Sequence, residues 1–233
     1  MSLNDIDLIE VRYDLEADND RFAAVVREQL NEEGVFLVNL MASPGAGKTS
    51  VLCRVIDALR ECFSVGVMEA DMDADVDAHT VAAHGAAALQ LRTGTSCHMD
   101  AKMTLRGLDS FPKPLPDVIF LENVGNLVCP AEFDVGADLK LMILSVPEGD
   151  DKPLKYPLMF TIADCMLVNK IDTAPIFDFD LARCENAVRA LNPKIEIFPV
   201  SAKTGEGMDA FVARLTERID AALRNKREEK RQC

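Results

Sequence analysis

The segment ASPGAGKTS, residues 42–50, has the residue types and spacing of a phosphate-binding loop. Gly45 and Gly47 allow backbone N–H groups to close around phosphate oxygens, helped by the start of the following helix. Lys48 would neutralise charge between the β- and γ-phosphates, and Thr49 would offer its hydroxyl to Mg²⁺. Only the first position departs from G-x-x-x-x-G-K-[ST], because a small alanine replaces glycine there. The predicted phosphate contacts are Ser43, Pro44, Gly45, Ala46, Gly47, Lys48, Thr49 and Ser50.

The tetrapeptide NKID, residues 169–172, predicts which base accompanies the phosphates. A carboxylate can accept two hydrogen bonds, which suits the N1–H and N2 amino group of guanine, whereas adenine lacks that donor pair. Asp172 would therefore select GTP, and Lys170 would lay its aliphatic stem along the base. The segment SAKTGEG, residues 201–207, follows a later strand, as the second guanine-contacting loop of GTPases does. The predicted guanine contacts are Asn169, Lys170, Asp172, Ser201, Ala202 and Lys203.

The acidic stretch MEADMDADVDAH suggests a calcium loop or a magnesium ligand. An EF-hand needs Gly at its sixth position and Glu at its twelfth, where Val76 and Ala82 stand. The other interpretation therefore holds, in which Asp71, just past a strand end, faces Mg²⁺ or the attacking water. Asp73 and Asp75 are then solvated loop charges.

In LENVGN, Glu122 follows a strand and occupies the place of the aspartate in the D-x-x-G motif. Glu122 would hold Mg²⁺ through water, together with Thr49 and Asp71, and Gly125 could offer its N–H to the γ-phosphate. Lys48, Asp71 and Glu122 are the predicted catalytic residues, acting by positioning and charge stabilisation. We expect slow hydrolysis, because the sequence shows no obvious catalytic glutamine or arginine finger.

Cys97 and His98 are adjacent in LRTGTSCHMDAKM, and their side chains are ligands of transition metals. For such a pair without a third ligand nearby, ordinary packing is the default interpretation. His79 and His84 are interpreted as structural or surface residues. They lie five residues apart on a predicted short helix, and a pair on one face needs a spacing of three or four.

Short apolar runs alternate with helical patterns and would position these motifs. The predicted strands are GVFLVNLMA, SVGVMEA, AALQLR, DVIFLEN, LKLMILSV, CMLVNK and IEIFPVS. Helical periodicity follows the phosphate loop and recurs near residues 99–109, 178–191 and 207–225. Such alternation predicts an α/β fold, a P-loop NTPase with a doubly wound, mostly parallel sheet and helices on both faces.

The length of 233 residues favours one large domain. We divide the chain into an N-terminal segment with a helix (1–33), a single GTPase domain (34–225) and a charged, solvated tail (226–233). The net charge of −14 argues against nucleic acid or an anionic membrane as a partner. No apolar run is long enough to span a membrane.

The seven cysteines are scattered, odd in number and not preceded by a secretory signal. This pattern indicates reduced thiols in the cytoplasm. We expect Cys53, Cys62 and Cys165 to be small buried hydrophobes. Cys184 is predicted on a helix, and Cys233 is the terminal residue.

Together these motifs resemble the hydrogenase nickel-incorporation GTPase family (HypB), metallochaperones of the SIMIBI class of P-loop proteins. The resemblance covers about residues 30–220. It rests on SPGAGKT, EADMDADVDA (the family usually has E-G-D here), TGTSCHMDA, LENVGNLVCP, EGDDKPLKYP, NKID and SAKTGEG. The similar urease nickel chaperone GTPase carries a Cys-Pro-His motif, which is absent here.

The resemblance implies GTP-dependent delivery of nickel to the large subunit of [NiFe]-hydrogenase, by a homodimer that forms on GTP binding and works with a HypA-type metallochaperone. It places the metal site, for Ni²⁺ and/or Zn²⁺, on Cys97, His98 and Cys129. Two thiolates and one imidazole leave a coordination position for water or a second copy. The chain lacks the histidine-rich stretch of some members, so nickel storage is not expected. Lys102 replaces a second histidine of some members, which argues against a dinuclear site.

Cys129 lies four residues after Gly125. We hypothesise that GTP moves the segment 122–130 and with it one metal ligand, and metal must then alter nucleotide affinity by the same factor. Lys152 and Lys155 follow a strand end and would reach phosphates across the dimer interface.

Three alternatives remain open at this point. One is a GTPase chaperone for another nickel enzyme such as urease, and another is a nucleotide-dependent dimerisation switch that delivers no metal. The third is an ATP-dependent enzyme of similar fold.

Overall fold

A computed structural model describes residues 11–71 and 76–232 as a parallel sheet with helices on both faces. Its strands are β1 (Phe36–Ala42), β2 (Val65–Asp71), β3 (Ala87–Arg92), β4 (Val118–Glu122), β5 (Leu139–Ser145), β6 (Cys165–Asn169) and β7 (Glu196–Pro199). Its helices are α1 (Val11–Glu33), α2 (Lys48–Leu59), α3 (Val76–Ala83), α4 (Ala101–Ser110), α5 (Cys129–Glu132), α6 (Lys152–Lys155), α7 (Pro157–Ile162), α8 (Leu181–Leu191) and α9 (Met208–Gln232). Asp73, Asp75 and Cys233 lie outside the described residues.

The strand order is β3-β2-β4-β1-β5-β6-β7, and all neighbouring strands are parallel. β1 lies in the middle, and all seven of its residues are buried. A parallel sheet brings the carboxyl ends of its strands to one edge, so the loops that follow the strands meet there. The predicted fold class and the seven predicted strands are confirmed.

Side chains of β1 alternate between the two faces of the sheet and join different cores. Val38 and Leu40 pack in the core that α2 and α9 cover. On the opposite face, Leu37 packs with α1 and α4, and Met41 packs with α7 and α8. The helices therefore hold both faces of the sheet, which fixes the edge where the loops gather.

The C-terminal helix α9 continues through the segment that was predicted to be a solvated tail. Lys226 is only 7% exposed, and its Nζ atom donates to the Val35 carbonyl at 2.6 Å. The same atom lies 2.7 Å from Asp138 Oδ1. A long lysine stem can cover apolar surface while its ammonium finds polar partners, so Lys226 is an exception to the prediction, whereas residues 227–230 are exposed.

Cys53 and Cys165 are buried as expected for apolar packing, and burial raises the pKa of Cys165 to about 12. Cys184 lies on α8 as predicted and is also buried. The expectation for Cys62 was wrong, because its side chain is exposed. α2 ends at Leu59, so Cys62 lies in the turn before β2 and not on the apolar face of the helix.

His84 lies 2.9 Å from an Asp57 oxygen, and His79 is exposed.

Within residues 11–71 and 76–232, no helix is long and apolar enough to cross a membrane.

Candidate nucleotide and metal sites

The loop between β1 and α2 takes its shape from two glycines. Gly45 and Gly47 have φ angles of +74° and +100°, a left-handed backbone that residues with a side chain rarely adopt. A Cβ atom at Gly47 would lie 2.5 Å from the Asn169 amide nitrogen, so this position requires glycine. α2 begins at Lys48, and the first N–H groups of a helix have no partner inside it. The residues predicted to bind phosphate therefore form a loop suited to an anion.

Two polar side chains tie the loop after β6 to the phosphate loop. Asn169 donates to the Ala46 carbonyl at 2.9 Å and accepts from the Ala202 N–H at 3.1 Å. Lys170 donates to the Gly45 carbonyl at 2.7 Å, from a backbone with φ of +63°. The three loops predicted to contact nucleotide thus form one hydrogen-bonded unit.

Asp172 faces this unit from the turn after β6. One of its carboxylate oxygens accepts from the Ser201 hydroxyl at 2.6 Å, which fixes the side chain against the loop after β7. A cavity of about 350 Å³ opens beside it. Its lining includes Gly47, Ser50, Asn169, Lys170, Asp172, Ala202 and Lys203.

A group of three carboxylates lies next to the start of α2; Glu69 and Glu122 are buried, and Asp77 is exposed. The Thr49 hydroxyl donates to Glu122 at 3.0 Å. Glu69 lies opposite Glu122 in the register of β2 and β4, and carboxylate oxygens of Glu69, Asp77 and Glu122 lie within 4.8 Å of one another. Burial, together with the neighbouring Glu122 carboxylate, raises the pKa of Glu69 to about 10, so this carboxyl stays protonated at neutral pH. Burial also raises the pKa of Glu122, while Lys48 opposes the shift.

The structure places Glu69 and Asp77 beside Glu122, where the sequence predicted Asp71. Asp71 is half-buried at the end of β2, two residues beyond the position that pairs with Glu122. α3 then brings Asp77 close to the carboxylates of Glu69 and Glu122. This pairing could not be predicted from local sequence patterns, because it depends on β2 and β4 being neighbours in the sheet.

The segment 122–130 leaves β4 and runs directly along the phosphate loop. A Cβ atom at Gly125 would lie 3.0–3.1 Å from three atoms of Pro44, so glycine permits this close approach. The Asn126 N–H donates to the Ala42 carbonyl at 2.9 Å. The segment therefore touches both the end of β1 and the loop that would hold the phosphates.

At its far end this segment meets the Cys–His pair. Cys97 Sγ lies 2.8 Å from Cys129 Sγ and 3.8 Å from His98 Nδ1. Ligand atoms of the three residues all lie within 4.8 Å of one another, which is a spacing that one metal ion could bridge. The fold thus brings together the three residues implied by the sequence resemblance, although 32 positions separate the two cysteines.

The side chains of this cluster are accessible but braced. Cys97 is exposed and Cys129 is half-buried. The His98 ring stacks on Phe133 with centroids 4.1 Å apart, and burial lowers the pKa of His98. A neutral imidazole offers a lone pair to a metal at neutral pH. The hydrogen bond with Cys97 raises the pKa of Cys129.

Two asparagines for which no role was predicted connect the cluster to the phosphate loop and β1. Asn123 is fully buried; it accepts from the Met99 N–H at 3.0 Å and donates to Asn39 of β1 at 3.1 Å. The Asn126 side chain donates to the Cys97 carbonyl at 3.4 Å. The motif ENVGNLVCP could have suggested them, because buried amides next to a metal loop usually position its backbone.

Lys152 and Lys155 lie in α6, which follows β5. Lys155 pairs with Asp151 at 2.6 Å, and the Lys152 ammonium lies 5.0 Å from the centroid of the Tyr156 ring. Both lysines are held at the surface by neighbours in their own segment.

The fold and the nucleotide loops define a P-loop NTPase of the GTPase class. The family model described as CobW/HypB/UreG, nucleotide-binding domain, matches residues 36–199. The hydrogenase maturation factor HypB of Rhizobium leguminosarum bv. viciae is 45% identical over 218 residues, which cover 93% of this chain and 72% of that protein. The chain therefore belongs to the CobW/HypB/UreG family, and within it to the HypB maturation factors.

Two solved structures agree with this assignment. The crystal structure of HypB from Helicobacter pylori in complex with nickel gives a TM-score of 0.83 at 36% identity, covering 88% of this chain and 96% of that chain. The crystal structure of hydrogenase maturation factor HypB from Archaeoglobus fulgidus gives a TM-score of 0.81 at 34% identity, covering 87% of this chain and 99% of that chain.

Proposed function

We propose that this chain is a GTP-hydrolysing nickel metallochaperone that assists nickel insertion into the large subunit of [NiFe]-hydrogenase. The observation that carries the proposal is the segment 122–130, which begins with Glu122 at the nucleotide site and reaches Cys129 in the metal cluster. The relatives support the same role, since they are named as hydrogenase maturation factors and one was crystallised with nickel.

GTP would bind with its phosphates in the loop 43–47 and its base in the cavity beside Asp172. The Asp172 carboxylate would accept from the guanine N1–H and N2 amino group. Backbone N–H groups and Lys48 would hold the β- and γ-phosphates, and Gly125 would approach the γ-phosphate from the side of β4.

Thr49 and Glu122 would hold Mg²⁺, and Asp71 would face this ion or the attacking water. The donor set fits, because Mg²⁺ prefers oxygen ligands and the Thr49 hydroxyl already lies 3.0 Å from Glu122. When bound, this ion offsets the negative charge of the phosphates. Lys48 and the loop N–H groups would supply the remaining charge stabilisation, so we expect the isolated chain to hydrolyse GTP slowly.

Ni²⁺ is the cargo in this proposal and would bind Cys97, His98 and Cys129. Thiolates and an imidazole suit Ni²⁺ and Zn²⁺ alike, and three protein ligands leave a coordination position open. Water or a second copy of the chain would complete the shell. An incomplete shell suits a carrier, because the next protein can attack the ion at the open position.

We propose further that GTP promotes a homodimer, and that a HypA-type metallochaperone and the hydrogenase large subunit are partners. Exposed apolar side chains support a second copy near α6: Leu154, Leu158, Ile176 and Phe177. Asp150 links their two segments, because it accepts from the Asp180 N–H at 3.0 Å. In a dimer joined here, Lys152 would reach phosphates of the other copy.

The experiment that tests this function is Ni²⁺ and Zn²⁺ binding without nucleotide, with GDP, and with a non-hydrolysable GTP analogue. Cys129→Ala should weaken Ni²⁺ binding by more than the roughly 10- to 100-fold that loss of an outer-shell partner costs. Cys62→Ala is the matched control, since this cysteine is exposed but lies outside the cluster.

A Cys129-dependent affinity that changes with nucleotide supports the GTP-gated carrier. Tight GTP binding with no Cys129-dependent metal would leave the dimerisation switch as the function. Equal Ni²⁺ affinity in all three nucleotide states would exclude coupling through the segment 122–130.

A further inference from the structure

Helix α1 lies against both loops that carry the metal ligands. One loop follows β3 and carries Cys97 and His98, and the other follows β4 and carries Cys129. A single side chain of α1, Asn19, is hydrogen-bonded to both, and it is only 8% exposed.

On the Cys97 side, Asn19 Oδ1 accepts from the Ala101 N–H at 2.9 Å. Ala101 is fully buried, begins α4, and lies three residues after His98. Asp100 caps the same helix end by accepting from the Met103 N–H at 2.7 Å. The backbone that leaves His98 is therefore fixed on α1.

On the Cys129 side, Asn19 Nδ2 donates to the Asp134 carbonyl at 2.8 Å. Asp134 directly follows Phe133, whose ring stacks on His98 with an interplanar angle of 17°. Arg27 of α1 pairs with the Asp134 carboxylate. α1 therefore holds the ring on which one metal ligand rests.

We infer that Asn19 is a positioning residue for the metal site: it sets the spacing between Cys97–His98 and Cys129 from outside the ligand shell. The inference rests on the proposed function, because it assumes that metal binds at these three residues. The Asn19 amide does both jobs, since its NH₂ donates to a carbonyl while its oxygen accepts an N–H. Aspartate cannot donate, and leucine can do neither.

Other hydrogen bonds hold the metal loops on the side of the sheet, so the contribution of Asn19 is limited to the opposite ends of these loops. Asn123 holds the Met99 N–H and Asn126 holds the Cys97 carbonyl, both from the end of β4. These bonds leave the outer ends of the two loops, at Ala101 and Asp134, to α1. Loss of Asn19 should therefore widen the cluster without detaching it from the nucleotide site.

The test compares the full-length wild type with Asn19→Asp, Asn19→Leu and Asn31→Asp. Asn31→Asp is the matched control, because it makes the same change at an exposed position of the same helix. Ni²⁺ affinity is measured by chelator competition, with GDP affinity beside it. The spacing of the two cysteines is also tested without metal, by the rate at which Cys97 and Cys129 form a disulfide with each other when oxidised glutathione is added. Peptide mass spectrometry identifies this disulfide. In that reaction the two thiols lose two protons and two electrons, and glutathione disulfide is reduced to two glutathione thiols.

We expect both Asn19 variants to bind Ni²⁺ about tenfold more weakly, in line with the loss of other outer-shell partners. The Cys97–Cys129 disulfide should form several-fold more slowly, because the two sulfur atoms are no longer held 2.8 Å apart. GDP affinity and the Asn31→Asp control should stay at wild-type values. A merely destabilised protein would instead oxidise faster, since unfolding frees its thiols.

Wild-type Ni²⁺ affinity and disulfide rate in Asn19→Asp would overturn the inference. If Cys129→Ala binds Ni²⁺ as wild type does, the proposed metal site fails, and the disulfide rate alone then decides whether Asn19 sets the cysteine spacing. Asn19→Asp keeps the volume of the side chain, so it serves if Asn19→Leu does not fold.

Discussion

At the scale of single residues, Asp172 is the side chain that we propose selects the base. Its carboxylate is held by Ser201 at 2.6 Å beside the cavity. A hydrogen bond to a charged group contributes about 1.5–3 kcal/mol, so Asp172→Asn should weaken GDP binding by about 10- to 100-fold. The new NH₂ would face the guanine donors but would suit the C2 carbonyl of xanthine.

Competition between GDP, ADP and xanthosine diphosphate measures this change. Asp178→Asn is the control, because it lies at an exposed position of the same loop. If Asp172→Asn leaves the preference for GDP over ADP untouched, the base is not recognised by this carboxylate, and the ATP-dependent alternative regains support.

Some residues near the phosphate loop could be predicted from sequence motifs, and others could not. Lys48, Thr49 and Glu122 could be found from motifs, because each lies at a fixed distance from a glycine or a strand end. Glu69 and Asp77 could not, since their place beside Glu122 follows from the register of β2 with β4 and from the return of α3. Residues brought together by strand order carry no local signal.

At the scale of elements, the segment 122–130 acts as a link between two sites. Asn126 binds the Ala42 carbonyl through its backbone, and the Cys97 carbonyl and the Val128 N–H through its side chain. Asn126→Ala keeps the first bond and loses the others. We therefore expect each site to bind its own ligand while the coupling between them decreases.

Calorimetry measures this coupling as the ratio of Ni²⁺ affinities with GDP and with a GTP analogue. The ratio should approach one in Asn126→Ala, and the effect of Ni²⁺ on nucleotide affinity should decrease by the same factor. A ratio that stays at the wild-type value would mean that coupling passes through Asn123 or through the dimer.

The C-terminal helix makes a separate prediction about stability. In Lys226→Met, Asp138 would lose its cation while keeping the Leu37 N–H at 2.8 Å. Breaking a buried pair costs about 3–5 kcal/mol, and Asp138 is partly exposed, so we expect a loss of about 2–3 kcal/mol. Urea unfolding measures it, and Lys230→Met, at an exposed position of the same helix, should change stability by less than about 0.5 kcal/mol.

The strands were predictable because each is a short, strongly apolar run that the sheet buries. Helix ends were less predictable than strands. Cys62 was expected to be buried but is exposed past the end of α2. The charged segment after residue 225 was expected in solvent, and residues 227–230 are exposed, but Lys226 pairs with Asp138 across the fold. Long-range partners of this kind are invisible to local pattern.

At the scale of the whole molecule, charge opposes the proposed dimer. Each chain carries a formal charge of −14, and bound GTP makes this more negative. Salt screens such repulsion, with a Debye length of about 30 Å at 0.01 M and about 8 Å at 0.15 M. We therefore expect dimerisation with a GTP analogue to strengthen as salt rises over this range.

Sedimentation equilibrium at several salt concentrations measures this dependence. A dimer that weakens with salt would show that attraction between unlike charges dominates the interface, as contacts from Lys152 to phosphate would. Lys152→Ala would then remove the salt dependence.

The sheet order has a consequence for how such a protein could diversify. The guanine loops follow β6 and β7, on one side of the central β1, whereas both metal loops follow β3 and β4, on the other. The predicted guanine contacts and the predicted metal ligands thus lie on opposite sides of β1, and the segment 122–130 connects them. Exchanging the loops after β3 and β4 could change the ion that the protein binds while the predicted guanine contacts stay as they are.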